Sequence, residues 1–251
     1  AFAADIMGPG IWLAFLLAAT VVLPGALSKS ELASAMPSSG GSYVYLERTY
    51  GPLLGTISGL GLWASFLLKA SFALIGSSAY MYALTTYFEI EINVQLVSIF
   101  ALVLITAINI LGLKKVKAIQ APILSLTLLL LFIVCIMALF EPSTDFSRPI
   151  SNAQNTGAFD QSLTTVAETA AFVFVAYAGV TKVAAIGGEV KEPGRNLPAG
   201  IMISLLVATL LYCLVTYTMM AAMPDMWFME NGEPIEDPAY RFVDLVAGST
   251  I

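Results

Sequence analysis

The 251-residue sequence contains no histidine and only two cysteines, Cys135 and Cys213. Without histidine, the chain lacks the commonest metal ligand and the usual proton shuttle near neutral pH. Both cysteines lie inside apolar runs, where a free thiol normally serves as a small apolar side chain. We therefore expect no disulfide, no metal site and no cofactor.

Charge is scarce as well. Charged residues make up 11% of the sequence and apolar residues 58%, whereas soluble domains carry about 25% charged residues. Six apolar runs are long enough to cross a hydrocarbon core, which requires about 20 helical residues. Their approximate bounds are 10–35, 53–85, 93–112, 118–140, 163–187 and 198–222. The composition predicts a multi-pass protein of the cell membrane, embedded in a lipid bilayer. The net charge of −6 gives no reason to expect a nucleic-acid partner.

A spanning backbone must satisfy its own hydrogen bonds, and the leucine-rich run 123–137 lacks the alternation of membrane strands. We therefore predict an all-α helical bundle, arranged as one transmembrane domain over residues 1–251. The chain opens on Ala1, and no basic region precedes the first apolar run, as a signal peptide would require. We interpret the sequence as part of a longer protein.

Basic residues are concentrated in every second connection between the predicted spans. Seven of the eleven fall in the first, third and fifth: Lys29, Arg48, Lys114, Lys115, Lys117, Lys191 and Arg195. The positive-inside rule therefore makes these connections cytoplasmic. The acidic tail, 223–251, is expected to be extracellular, where its carboxylates form a solvated surface.

Besides Lys29 near the cytoplasmic end of the first span, two lysines fall within the predicted spans, where each costs at least ~2.5–3.5 kcal/mol to insert. Lys69 lies far from both ends of its span, so its ammonium group cannot reach the interface. It must point inward, either as a functional group or as half of a structural ion pair. Small and aromatic residues recur on the same helical face: Trp63, Phe66, Ala70, Ala73 and Ser77.

The second lysine, Lys182, belongs to the stretch FVFVAYAGVTKV, residues 172–183. Gly179 and Thr181 precede it in a run that otherwise resembles a membrane helix. Small residues there indicate either close helix packing or a broken helix whose freed carbonyls line a cavity. The residue types alone leave both interpretations open.

Two long segments resemble the amino acid–polyamine–organocation permeases. FVFVAYAGVTKVAAIGGEVKEPGRNLPAGI is similar to their sixth transmembrane segment with the loop that follows. ELASAMPSSGGSYVYLERTYGPLLG resembles the end of their second segment, the cytoplasmic connection and the start of the third. The resemblance implies a LeuT-like inverted-repeat fold, of which this chain would hold segments two to seven.

The resemblance also implies a substrate site. The unwound part of segment six would be Val175–Gly179, whose carbonyls would accept hydrogen bonds from a substrate ammonium group. The residues implied around the substrate are Phe174, Val175, Ala176, Tyr177, Ala178, Gly179, Thr181, Phe66, Ala70 and Ala73. Lys69, Lys182 and Glu189 are the predicted coupling or gating residues, the lysines because of their insertion cost and Glu189 as part of a mixed-charge cytoplasmic cluster. Two features depart from the family: the glycine-rich break of segment one is absent, and span 118–140 carries no lysine, so a lysine-based proton mechanism there cannot be transferred.

The expected function is therefore secondary active transport of a small molecule, an amino acid or related amine, by alternating access. A proton or sodium ion would drive symport, or substrate exchange would replace it. A transporter of cations or other organic solutes within the same superfamily remains open. More remote alternatives are an ion channel and an intramembrane enzyme with a serine–lysine pair, in which Ser58 or Ser65 would supply the hydroxyl and Lys69 the amine.

Overall fold

The computed structural model describes residues 2–88, 93–110, 112–142, 144–150, 162–222, 229–230, 233–234, 242–243 and 245. This part of the chain contains eight α-helices: α1 (Phe2–Met7), α2 (Ile11–Ala35), α3 (Ser42–Tyr50), α4 (Pro52–Phe88), α5 (Val94–Ile110), α6 (Leu113–Phe140), α7 (Leu163–Tyr177) and α8 (Pro193–Ala222). Two-residue strands, β1 (Met229–Glu230) and β2 (Glu233–Pro234), form a small antiparallel ladder. The predicted all-α fold class is confirmed.

Five helical stretches in the described ranges are long and apolar enough to cross a membrane: Gly8–Ala35, Pro52–Leu74, Lys115–Phe140, Leu163–Ala185 and Pro193–Ala222. The remaining predicted span, 93–112, corresponds to the apolar helix α5, which has 17 residues. Many large apolar side chains on these helices face outward, as expected for lipid-facing surfaces. The predicted extracellular tail, 223–251, lies almost entirely outside the described residues.

The chain divides into two compact units. The first unit contains residues 2–69 and 146–221, and the second contains Ala1, 70–145 and 222–251. In the second unit, α5 contacts α6. The arrangement as one transmembrane domain stays a prediction. Everything described below as the candidate site belongs to the first unit.

Helix α2 packs against α7 more extensively than any other pair of elements in the described chain. The buried face of α2 consists mainly of small side chains spaced three or four residues apart: Ala14, Ala18, Val22, Ala26, Ser30 and Ala33. On α7 the buried residues follow the same spacing: Val166, Thr169, Ala170, Val173 and Tyr177. Small residues let helix backbones approach closely, which is the usual basis of helix association in membranes.

Helix α3 is a short helix in the connection that follows the first predicted span. It begins after the Gly40-Gly41 pair and ends at Gly51, and both Gly41 and Gly51 have positive φ. Tyr45 of α3 is buried in a small core with Ala33, Ala184 and Leu197, and burial raises the pKa of its hydroxyl. This core connects α2 and α3 to the segment after α7 and to α8.

Helix α8 begins earlier than the sequence indicated. Asn196 is a residue type suited to an N-cap, and Pro198 would then lie in the first turn, but α8 begins at Pro193. Asn196 instead lies inside the first turn, and its side-chain amide donates to the Lys191 carbonyl at 2.6 Å. The physical reason is that Pro193 suits the first helical position, where its missing N–H costs nothing.

Ser162 caps the N-terminus of α7. Its hydroxyl oxygen accepts a hydrogen bond from the backbone N–H of Thr165 at 3.2 Å. We expect Ser162→Ala to lower the unfolding free energy by about 0.5–2 kcal/mol, the usual loss for an N-cap. Thermal unfolding of the purified protein measures this. Ser162→Asp, which retains an acceptor, is the matched control, and equal losses in both variants would contradict the capping role.

Candidate functional site

The α-helical hydrogen bonding of α7 ends at Tyr177, within its membrane-crossing stretch. Ala178 and Gly179 form a turn, and the chain continues as a 3₁₀ helix over Val180–Ala185, called here the 3₁₀ segment. The Ala178 N–H donates to the Val175 carbonyl at 3.2 Å, and the Lys182 N–H donates to the Gly179 carbonyl at 3.0 Å. Tight three-residue bonds of this kind often mark a functional hinge or strain in a helix. The break lies at the end of Val175–Gly179, the range that the resemblance implied to be unwound.

A cavity of about 330 Å³ lies beside this break. Small ligands typically occupy pockets of about 300–1,000 Å³, so this volume suits a compact organic molecule. The cavity is lined from α2, α3 with the glycine before it, α4, α7 and the segment that follows. Most of its walls are apolar or small: Val21, Val22, Gly25, Ala26, Gly41, Leu62, Phe66, Phe174, Tyr177, Ala178, Ala184 and Ala185.

The polar part of the lining is basic. Lys29 of α2, Lys69 of α4 and Lys182 of the 3₁₀ segment all line the cavity, together with the hydroxyl residues Ser42, Ser65 and Thr181. The Lys29 ammonium donates to the Thr181 hydroxyl oxygen at 3.1 Å. The Lys182 ammonium lies 3.8 Å from the centroid of the Phe66 ring, in a cation–π contact. No acidic side chain is among the lining residues in the described part of the chain.

Tyr177 is the last residue of α7 before the break and is almost fully buried, with 1% of its surface exposed. Its hydroxyl donates to the Phe15 carbonyl at 3.1 Å. Its ring makes edge contacts with Phe15, at 6.5 Å between centroids, and with Tyr212, at 5.3 Å. Tyr177 is therefore both a cavity wall and a structural anchor between α2, α7 and α8.

Tyr212 was not singled out in the sequence, yet its hydroxyl donates to the Ala176 carbonyl at 3.3 Å. Consequently the carbonyls of Val175, Ala176 and Gly179, which the resemblance assigned to a substrate ammonium, each accept a hydrogen bond from the protein. A carbonyl oxygen has two lone pairs, so one acceptor position remains on each.

Seven of the predicted site residues line this cavity: Phe66, Lys69, Phe174, Tyr177, Ala178, Thr181 and Lys182. Val175, Ala176 and Gly179 are exposed and do not line it. Ala70 and Ala73 are exposed residues of the second unit, and Glu189 is exposed at the end of a short 3₁₀ turn, Gly187–Glu189. The substrate-binding and coupling roles of all these residues stay predictions.

The sequence interpretation missed Lys29, which it treated only as a marker of the cytoplasmic side. Helix α2 extends to Ala35, so Lys29 is helical and shares a face with Val22 and Ala26. That spacing of three and four residues was the available signal, because it places the lysine on the same face as buried residues.

The connection between α2 and α3 packs directly against the end of the 3₁₀ segment. The Gly40 N–H donates to the Ala185 carbonyl at 2.9 Å, and Ser39 forms a single antiparallel bridge with Ile186. A Cβ atom added to Gly41 would lie 3.2 Å from the Cα of Ala185. This contact between residues 39–41 and 185–186 is called here the connection–segment contact. It links the α2–α3 connection to the part of the chain that follows the break.

Comparison with known proteins gives a consistent result. The family model described as "Amino acid permease" matches residues 1–251. The branched-chain amino acid permease BcaP of Bacillus subtilis is 30% identical over 246 residues, which cover 91% of this chain and 51% of that protein. The methylthioribose transporter of the same organism is 31% identical over 264 residues, covering 98% and 55%. Cationic amino acid transporter 6, chloroplastic, of Arabidopsis thaliana is 23% identical, covering 86% and 40%. The chain spans about half the length of these relatives.

Proposed function

The chain belongs to the amino acid permease family and is a multi-pass protein of the cell membrane, and from this we propose that it forms part of a secondary active transporter. In this proposal the cavity beside the break binds an amino acid or a related small solute, which then crosses the membrane by alternating access. The observation that carries the proposal is the end of α-helical structure at Tyr177, inside a membrane-crossing stretch and next to a cavity of about 330 Å³.

A broken membrane helix supports transport for two physical reasons. Backbone that leaves the helical pattern is tolerated at membrane depth only where it is buried in protein or lines a water-filled cavity. In addition, a short 3₁₀ turn gives the two halves of the span a point about which they can reorient. The surrounding cavity walls come from several elements, so a reorientation there would change access to the solute.

Relatives named for branched-chain amino acids, methylthioribose and cationic amino acids indicate that the family scaffold accommodates different solutes. We therefore retain transport of another organic solute as the second possibility.

The proposal includes coupling to a proton or sodium gradient, or solute exchange, with Lys69 and Lys182 participating.

The first experiment is uptake by the full-length protein reconstituted in liposomes. A panel of amino acids, amines and organic acids is tested under imposed pH and sodium gradients, with protein-free liposomes as the blank. We expect gradient-driven or exchange-driven accumulation of at least one solute. Lys69→Ala and Lys182→Ala are each expected to reduce it at least tenfold, whereas Lys117→Ala, which alters an exposed lysine that is not a lining residue, should not. Full uptake in both cavity variants would refute the participation of these lysines.

We further propose that the protein is a carrier rather than an enzyme. Ser65 and Lys69 lie four residues apart on α4 and both line the cavity, which is the minimum arrangement for a serine–lysine nucleophile. A fluorophosphonate probe labels activated serines covalently. Labelling that is lost in Ser65→Ala would contradict the carrier proposal.

A further inference from the structure

The three cavity lysines carry an unbalanced positive charge. Lys29, Lys69 and Lys182 come from three different elements, yet their side chains line one enclosure. Within the described residues, none of the three forms an ion pair; Lys29 donates to the Thr181 hydroxyl, and Lys182 lies over the Phe66 ring. Positive charges that line the same cavity repel one another.

Such an arrangement is costly unless a negative charge completes it. A lysine in a membrane segment costs at least ~2.5–3.5 kcal/mol, and lysines at this depth normally pair with carboxylates, carbonyls or water. Like charges placed together beside apolar walls repel more strongly than in water. A carboxylate that entered the cavity would gain several charge-assisted hydrogen bonds at once and would relieve this repulsion.

The size and the walls of the cavity limit the kind of anion. A volume of about 330 Å³ is much larger than a single inorganic ion needs. The apolar walls include Val21, Val22, Leu62 and Phe174, which suit the apolar body of an organic molecule. A bare cation or a free amine would meet three positive charges and no acidic side chain from the described residues.

We propose that the cavity binds a small organic anion, a solute with a carboxylate and a net negative charge such as an acidic amino acid, and disfavours cationic amino acids and amines. The carboxylate is held by Lys29, Lys69 and Lys182, with Ser65 and Thr181 as additional donors. This inference rests on the proposed function, because it names the solute class of the same cavity. It narrows the expected substrate from amino acids and amines in general to anionic solutes.

The test is equilibrium binding to the purified full-length protein by calorimetry, with four probes: L-glutamate, succinate, L-leucine and L-lysine. We expect L-glutamate or succinate to bind at least tenfold more tightly than L-leucine and L-lysine. Lys29→Met, Lys69→Met and Lys182→Met should each weaken binding of the anion about tenfold or more, the usual loss of a hydrogen bond to a charged group. The matching Arg variants, which keep the charge, should retain most of the affinity, and Lys117→Met should leave it unchanged.

A stability measurement without solute separates this proposal from a structural role. If the lysines are unpaired in the whole protein, the Met variants remove repulsion, and their melting temperatures should equal or exceed that of the parent protein. If a carboxylate from another part of the protein pairs with them, the same variants should melt at markedly lower temperatures, since removing one partner leaves the other charge buried and unpaired. A lower melting temperature, or preferred binding of L-lysine or L-leucine, would overturn the proposal.

Transport assays keep the two proposals distinguishable. Suppose that the protein takes up L-leucine or L-lysine but shows no anion binding that depends on the three cavity lysine residues. That result would support the transporter proposal and refute the anion site. Conversely, anion binding that depends on the three cavity lysine residues, without uptake of any solute in liposomes, would support the anion site and refute transport.

Discussion

Gly41→Ala is expected to remove most transport activity of the full-length protein and to lower its unfolding free energy by at least about 1–3 kcal/mol. Gly41 is buried, with φ +55° and ψ −127°, a conformation that residues with a Cβ atom rarely adopt and that costs them about this much. The new Cβ would also lie 3.2 Å from the Cα and 3.3 Å from the backbone nitrogen of Ala185. Because both neighbours are backbone atoms, the 3₁₀ segment itself would have to shift, along with the cavity that it lines.

Gly51→Ala is the matched control for this experiment. Gly51 also has a positive φ, +89°, but an added Cβ would have no neighbour within 4 Å. It therefore incurs the backbone strain without disturbing the connection–segment contact. Thermal unfolding and initial uptake rates are measured for both variants. We expect similar losses of stability from strain but a much larger loss of transport for Gly41→Ala, and equal uptake in the two variants would show that the contact is not involved in transport.

Tyr177→Ala is expected to destabilise the protein by about 3–5 kcal/mol, the range for truncating a large buried aromatic residue. The side chain is 1% exposed and contacts Phe15 and Tyr212, so its removal would open a void between α2, α7 and α8. Tyr177→Phe keeps the ring and loses only the hydrogen bond to the Phe15 carbonyl, with an expected cost of about 0.5–1.5 kcal/mol. Unfolding in detergent, followed by tyrosine and tryptophan fluorescence, measures both.

These two variants also test the predicted role of Tyr177 beside the solute. If the residue acts mainly as a structural anchor, uptake should follow stability, and Tyr177→Phe should retain nearly normal apparent affinity. Tyr212→Phe is the matched control, since it removes a comparable hydroxyl-to-carbonyl bond, to Ala176, from a residue that does not line the cavity. A stable Tyr177→Ala protein with a selectively weakened solute affinity would contradict the anchoring role and favour a gate.

The helical elements were largely predictable because their signals are local. Apolar length indicates a span, glycine pairs and proline mark boundaries, and these depend on the neighbouring residues. The predicted span 10–35 and α2, Ile11–Ala35, therefore agree closely. The start of α8 was less accurate, because Pro193 and Pro198 are both acceptable in a first turn and only the surrounding packing distinguishes them.

The candidate site was predictable only in part. Lys69 and Lys182 are conspicuous because a charge inside an apolar run has a large insertion cost, and both do line the cavity. Lys29 was not recognisable as their companion, because a lysine near the cytoplasmic end of a span usually marks topology. Its inclusion depends on the long-range approach of α2 to the 3₁₀ segment, seen in the bond from Lys29 to Thr181 across 152 positions.

While the break in the fifth predicted span was implied only by the family resemblance, the sequence by itself determined the membrane class and the helical fold. Each of these follows from composition and short-range pattern, since the bilayer imposes length and internal hydrogen bonding on any segment that crosses it. Only the tertiary structure decided which charges share one enclosure and which residues near the break are walls rather than exposed surface. Those outcomes depend on how α2, α4 and the 3₁₀ segment pack, and close packing joins residues that are far apart in sequence.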